Sequence, residues 1–362
     1  MKLLGRFPWD LTALGLCAVL PLIPGLFDGL DSELKIPVGS EFTTLFIMAV
    51  LGLGLHVVVG YTGLLQLGVA AFFGIGAYTT GILTVPSYPF QIGFPAALFA
   101  ATTTAAGVGL LLGAPTLRLR GDYLALVTLG FGEVVRFGIK NLEEITNGTK
   151  GLNPIPPPSI PGLGGDWATD FRYFYYLCLA ILFVVLVVLR NLERSRIGRA
   201  WVALREDELA ATCMGLNTNR LKLTAFALGA GIAGMAGCLY ATKLGNTAGP
   251  EAFGFNRSIT ILCCLILGGL GNRSGVLLGV LLVVGFDNIL APVLDKYIQA
   301  GRGTNTEVID YQTFTFWKLM IFGLALILIM RFRPEGLLPS TRMKHELHPE
   351  ELAPELNAKE GE

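Results

Sequence analysis

Three carboxylates stand side by side at Glu206, Asp207 and Glu208, at the head of the stretch REDELAATCMGLNTNRLKLTAFALGAGIAGMAGCLYA, residues 205–241. As the first turn of a short helix they lie where the helix dipole favours anions. Leu209 with Cys213, and Ala210 with Met214, are i,i+4 pairs that give this helix a small apolar face. Gly215 supplies its stop and Asn219 caps the next helix. That next helix repeats Ala225, Gly229, Ala233, Gly237 and Ala241 at intervals of four, a ridge suited to close packing in lipid. The chemistry on offer is contact and force transfer. A helix lying on the membrane surface is tied to a tightly packed span, and it either rests on lipid headgroups or receives a partner.

Other reactive side chains are sparse. Glu133 and Arg136 are three residues apart and share a helix face, so a structural ion pair is expected. Gln66, in GYTGLLQLG (60–68), puts an amide at membrane depth, where polar groups must face protein or a watery path. Tyr61, Thr62, Gly63 and Gln66 therefore read either as helix-packing glue or as the wall of a path. The six cysteines form no C-x-x-C and sit mostly in apolar runs, as small buried hydrophobes do. His56 is alone in an apolar run, while His345 and His348 lie in a polar tail, so no metal set forms. There is no G-x-x-x-x-G-K-[ST], H-E-x-x-H or G-x-S-x-G. Charges in the apolar segments, chiefly Glu133, Arg136, Asp287 and Lys318, lie near their ends, whereas ion-coupled pumps place such groups at the midplane. A path with no coupling ion and a force-receiving helix points to an external motor.

The elements that must hold these residues are membrane spans. The chain is 52% hydrophobic and 15% charged over 362 residues, with no net charge. Apolar runs recur at about the 17–25 residues that cross a bilayer core. The expected fold is all-α, a polytopic transmembrane helical bundle. About ten spans are expected, near 10–27, 43–60, 64–84, 92–114, 122–140, 172–190, 220–242, 256–271, 274–292 and 314–331. Segments 28–42 and 141–171 are acidic and belong outside. The segments with Lys2 and Arg6, with Arg118 and Arg120, with Arg190 to Arg205, and with Arg331 and Arg333 belong inside. Both termini are then cytoplasmic, with a transmembrane domain over 1–339 and a charged, disordered cytoplasmic tail over 340–362. Lys2 and Arg6 precede a retained first span, since no A-x-A cleavage site follows it.

The loop ITNGTKGLNPIPPPSIPGL (145–163) is the longest non-apolar stretch outside. Its prolines forbid regular helix and make a stiff platform on which a soluble partner can dock.

Several long motifs in one order resemble a known family. GYTGLL with Gly76-Ala77-Tyr78, RLRGDYLALVTLGFGEVVR, ITNGTKGL, EDELAATCMGLN with KLTAFALGAGIAGMAG, ILGGLGNRSGVLLG and RFRPEGLL are similar to the LivM-type permease subunit of bacterial branched-chain amino acid ABC importers. The resemblance covers about residues 43 to 339. It implies a multi-pass protein of the bacterial plasma (inner) membrane that carries amino acid cargo. It also implies a second homologous permease, two cytoplasmic ATP-binding subunits and a periplasmic or lipid-anchored substrate-binding protein. ATP is then bound by the partners and no cofactor by this chain. Glu206, Asp207, Glu208, Leu209, Ala210, Ala211 and Gly215 map onto the coupling helix, about 205–215, that touches the ATPase. Asn147, Gly148, Lys150 and Gly151 map onto the docking loop for the binding protein. The sequence departs from the family pattern at Leu209, where Glu is usual, at Gln66 and Val69, where Ser and His are often seen, and at Asn147, where glycine is.

The expected function is thus a non-catalytic pore subunit, with membrane lipid around it and no nucleic acid. A permease for urea or a related small amide shares the architecture. A passive channel or facilitator is the alternative without a motor, and a membrane enzyme lacks any nucleophile–base or metal set.

Overall fold

The computed structural model describes residues 37–89, 91–116, 122–158 and 171–293, with a few further positions that include 336–338. Every regular element among them is helical. The expected spans at 10–27 and 314–331, and the tail at 340–362, fall outside the continuously described residues.

In chain order, α1 runs Val38–His56 and continues as a π-helical turn, Val57–Tyr61. Then come α2 (Val69–Thr84), α3 (Phe94–Thr116), α4 (Asp122–Asn141) and the one-turn α5 (Glu143–Thr146). They are followed by α6 (Phe171–Arg194), α7 (Arg196–Glu206), α8 (Glu208–Cys213), α9 (Thr218–Leu244), α10 (Phe255–Gly268) and α11 (Arg273–Gly285). Among the described residues six stretches are long and apolar enough to cross a membrane: Val38–Tyr61, Phe94–Pro115, Phe171–Arg194, Thr218–Leu244, Pro250–Gly268 and Arg273–Val293. The α2 helix is apolar but shorter. The α4 helix, expected as a span, is not among the six; Glu133, Arg136 and Lys140 lower its apolarity.

The chain divides into two compact units, Met1–Leu262 and Cys263–Glu362. In the first, α9 is the central helix, and α1, α2 and α3 pack around it. Small residues make this possible. A Cβ on Gly76 of α2 would stand 2.0 Å from the Gly234 carbonyl oxygen, and one on Gly237 would stand 2.0 Å from that of Phe73. The expected ridge is entirely buried: Ala225, Gly229, Ala233, Gly237 and Ala241. With no hydrophobic drive between helices in lipid, such close contact is what holds spans together. The α1 helix is apolar on most sides, and it is buried along its whole length from Thr43 to His56, as expected of a helix enclosed by others. The α6 helix shows two apolar faces. Tyr175, Cys178, Leu182, Val185 and Leu189 face the bundle, while Phe183, Val184 and Val188 face outward.

In the second unit α10 and α11 turn back on each other at GGLGNRSG. A Cβ on Gly279 would lie 1.9 Å from the Cys264 carbonyl oxygen. Residues 336–338 lie at the same place, where the Leu337 and Leu338 amides donate to the carbonyls of Leu267 and Gly268 at 3.0 and 2.9 Å.

Candidate functional site

The stretch expected as one helix over 205–215 is two helices. Glu206 ends α7, and Asp207 leaves helical geometry with φ −155° and ψ 117°. Its carboxylate accepts from the amides of Leu209 and Ala210 at 2.7 and 3.1 Å, which caps α8. The correction has a clear cause. An Asp at an N-cap satisfies amides that a helix start leaves open, so the chain breaks there rather than one residue earlier. Glu206 therefore sits at a helix C-terminus and outside the first turn of α8. The stop at Gly215 is as expected, with φ +81°. The Gly215 amide donates to Thr212 and the Leu216 amide to Ala211. The cap of α9 is Asn217, which accepts from the Arg220 amide at 3.1 Å, in place of the expected Asn219.

The α8 helix presents Leu209 and Ala210 outward and buries Ala211 against the bundle. Its fixed point is ionic. Glu208 Oε1 lies 2.6 Å from Lys222 Nζ, on the second turn of α9, and the lysine side chain is only 4% exposed. Behind α8, α7 buries Trp201 completely, and its indole N–H donates to the Leu221 carbonyl at 2.9 Å. Thus α7, α8 and the first turns of α9 form one body.

The same body meets the expected path motif. Arg205 Nη1 donates to the Gly60 carbonyl at 2.8 Å. The Tyr61 ring stacks on Trp201, with centroids 6.3 Å apart and an 11° interplanar angle, and it meets His56 edge-on at 4.7 Å. A Cβ on Gly63 would lie 2.9 Å from Arg205 Cγ, and Gly63 has φ +70°. Tyr61, Thr62 and Gln66 are buried and Gly63 is exposed.

The helix is broken over 63–68, longer than the gap expected between spans at 60 and 64. Two side chains take up amides where the break runs into α2. Thr128 Oγ1 accepts from the Leu67 amide at 3.1 Å, and Ser258 Oγ accepts from the Ala70 amide at 3.1 Å. Unwound backbone at membrane depth survives only with such partners or beside water. Gln66 lies in this break, 2% exposed.

At the far end of α9 the predicted docking loop is ordered by short contacts. Asn147 ends α5 in the left-handed region at φ 58°. Its Nδ2 donates to the Gly151 carbonyl at 2.9 Å. Gly148 is buried, Lys150 is exposed, and Gly151 has φ +68°. The following strand-like backbone, Leu152 to Ile155, clips to the end of α9. The Leu152 amide donates to Thr247 Oγ1, the Thr247 amide to the Leu152 carbonyl, and the Ile155 amide to the Gly245 carbonyl. The expected pair is present, with Arg136 Nη2 2.7 Å from Glu133 Oε2. Arg136 also reaches across to both carboxylate oxygens of Glu251 at 2.8 and 2.9 Å. At about 1.5 Å per residue, α9 carries its two ends roughly 40 Å apart. The loop and the α8 body are thus attached to opposite ends of one helix.

Sequence reasoning overlooked Trp201, Lys222, Thr128, Ser258, Thr247 and Glu251. One signal was available. In RIGRAWVALRE, Gly198, Trp201 and Leu204 recur every three residues, which marks a face seated on the bundle, while Ile197 is exposed. Among the described residues no group of three or more His, Cys, Asp or Glu could hold a metal.

Comparisons with known proteins identify a family. Residues 40–330 match the family described as "Branched-chain amino acid transport system / permease component". The chain is 39% identical over 325 residues to the high-affinity branched-chain amino acid transport system permease protein LivM of Escherichia coli (strain K12), covering 84% of this chain and 71% of that one. It is 28% identical over 310 residues to the probable branched-chain amino acid transport permease protein LivM of Methanocaldococcus jannaschii, covering 80% and 84%. The E. coli permease protein LivH is 26% identical over 206 residues, covering 54% and 59%. No solved structure gives a significant match.

Proposed function

The chain belongs to the branched-chain amino acid transport permease family, and from that premise we propose that it imports branched-chain or other neutral amino acids as one half of a two-permease pore. The observation that carries the reading is the family match over residues 40–330. The chain is a transmembrane subunit of an ABC importer, and the hydrolysis of ATP belongs to two separate subunits on the cytoplasmic face.

In this reading α8 is the part that the ATPase grips. Leu209 and Ala210 point outward from it, while Asp207 caps it and the Glu208–Lys222 pair fixes it to α9. The loop with Asn147, Gly148, Lys150 and Gly151 receives the substrate-binding protein on the other face. The path runs past the break at 63–68, bordered by Tyr61, Thr62, Gly63 and Gln66. Gln66 supplies an amide where the cargo must leave water. Ten spans, both termini in the cytoplasm and a bacterial inner membrane complete the arrangement, with a transmembrane domain to residue 339 and a cytoplasmic tail beyond it.

The test is reconstitution. The chain is co-expressed with its second permease and ATP-binding partners and placed in liposomes with binding protein and labelled leucine. ATP-dependent uptake that needs every component is expected. Uptake of leucine by the purified chain alone, without ATP, would show a passive facilitator instead.

A further inference from the structure

We propose that Arg205 is a positioning residue through which movement of α8 reaches the broken helix at Gly60, so that GYTG is the receiving half of a mechanical joint as well as a border of the path. The inference rests on the importer reading above.

The π turn Val57–Tyr61 ends α1, and the chain leaves helix at 63–68. Carbonyls at such an end have lost the amides that would have come from the next turn, and they carry the negative end of the helix dipole. At Gly60 the replacement donor is a cation, the Arg205 guanidinium at 2.8 Å. The arginine comes from a different element, α7, and stands two residues before the Asp207 cap of α8.

Three contacts act at one place. Besides the hydrogen bond, Trp201 stacks on Tyr61, and the arginine stem lies over Gly63 where a Cβ would approach Cγ to 2.9 Å. Gly63 also needs its φ of +70°, a conformation that glycine adopts without strain. Any displacement of α8 carries Arg205 with it. The short junction at Asp207 leaves little slack, and the Trp201–Leu221 and Lys222–Glu208 bonds tie α7 and α8 to the same turns of α9. The Gly60 carbonyl then follows the guanidinium or loses its donor. Either result moves the break that borders the path.

The experiment uses the complete reconstituted importer and reads leucine uptake and ATP hydrolysis together. The variant is Arg205→Met, which keeps the stem over Gly63 and removes the donor. Assembled complex and ATP hydrolysis should be retained, while uptake per ATP falls about tenfold or more, the scale of one charge-assisted hydrogen bond. Arg205→Lys should recover a good part of the coupling, because an ammonium can still donate to a carbonyl. Unchanged uptake per ATP in Arg205→Met, or a parallel fall in both readouts, overturns the proposal. If Arg205→Met does not assemble, Gly63→Ala makes the same test by displacing the arginine stem, and unchanged uptake per ATP there overturns it equally. A wild-type complex without ATP-driven uptake would instead be a failure of the importer reading, seen before any variant is made.

Discussion

Gly54 and Gly229 face each other where α1 crosses α9. A Cβ on Gly54 would lie 2.9 Å from the Gly229 carbonyl oxygen, and one on Gly229 would lie 2.8 Å from the Gly54 carbonyl oxygen. Neither obstacle is a side chain that can turn away, so any larger residue must push the helices apart. Gly229→Val should therefore destabilise the protein by about 1–3 kcal/mol, the usual range for overpacking. Gly130 on α4 has nothing within 4 Å of a built Cβ. Gly130→Ala should be neutral or stabilising by up to about 1 kcal/mol through helix propensity. Thermal unfolding in detergent compares the two, and equal midpoints would show that the crossing is looser than the backbone distances imply.

The Glu208–Lys222 pair should behave as a partly buried bond. Lys222 is almost enclosed, and Glu208 Oε1 is 2.6 Å from its ammonium. Glu208→Gln removes the countercharge and leaves the lysine in place, a change that costs about 3–5 kcal/mol at a fully buried pair and less at this half-open one. Adding Lys222→Met to that variant should restore much of the loss, because the remaining amide faces an apolar stem. A double-mutant cycle on detergent melting temperatures measures this. Strict additivity of the two changes would mean that the pair holds nothing.

Much of this architecture was legible from the residues. The four-residue ridge on α9 is a local pattern, and its burial follows from the spacing alone. The Glu133–Arg136 pair follows in the same way, from two side chains on one helix face. What escaped depends on distant partners. The Thr128 hydroxyl meets the Leu67 amide across 61 residues of sequence, and Arg205 meets Gly60 across 145. Nothing in the spacing of either residue reports that meeting. The boundary of α8 escaped for a different reason. In REDE every acidic residue is an acceptable helix start, and only the backbone turn at Asp207 selects one of them.

Asp207 gives a local test of how well α8 must be held. Its carboxylate is the acceptor for the amides of Leu209 and Ala210. Asp207→Ala should cost about 0.5–2 kcal/mol, concentrated in a helix too short to persist without its cap. Asp207→Asn keeps an acceptor and should be nearly silent. Hydrogen exchange over residues 208–215 in the purified chain checks this, since protection should fall in the alanine variant alone. Equal loss in both variants would assign the effect to charge rather than to capping.

The loop at Asn147 offers a prediction on the opposite end of α9. Asn147 holds φ at 58°, in the left-handed region where asparagine is tolerated and β-branched residues are not. Its amide also closes the loop by donating to Gly151. Asn147→Gly keeps the backbone and loses one half-buried hydrogen bond, so the loss should be small, roughly 0.5–1.5 kcal/mol. Asn147→Val loses the bond and strains the backbone, and it should open the loop that the Leu152–Thr247 and Ile155–Gly245 bonds anchor. Limited proteolysis between residues 145 and 158 reads the opening directly. Stimulation of ATP hydrolysis by loaded binding protein reads its consequence in the assembled importer. Asn147→Val should be cut faster than wild type and should lose stimulation, while Asn147→Gly keeps both properties. Faster cutting with full stimulation would separate the order of this loop from the docking of the binding protein, and docking would then have to be sought at Glu251 and the short helix Pro250–Phe253 that Arg136 holds beside it.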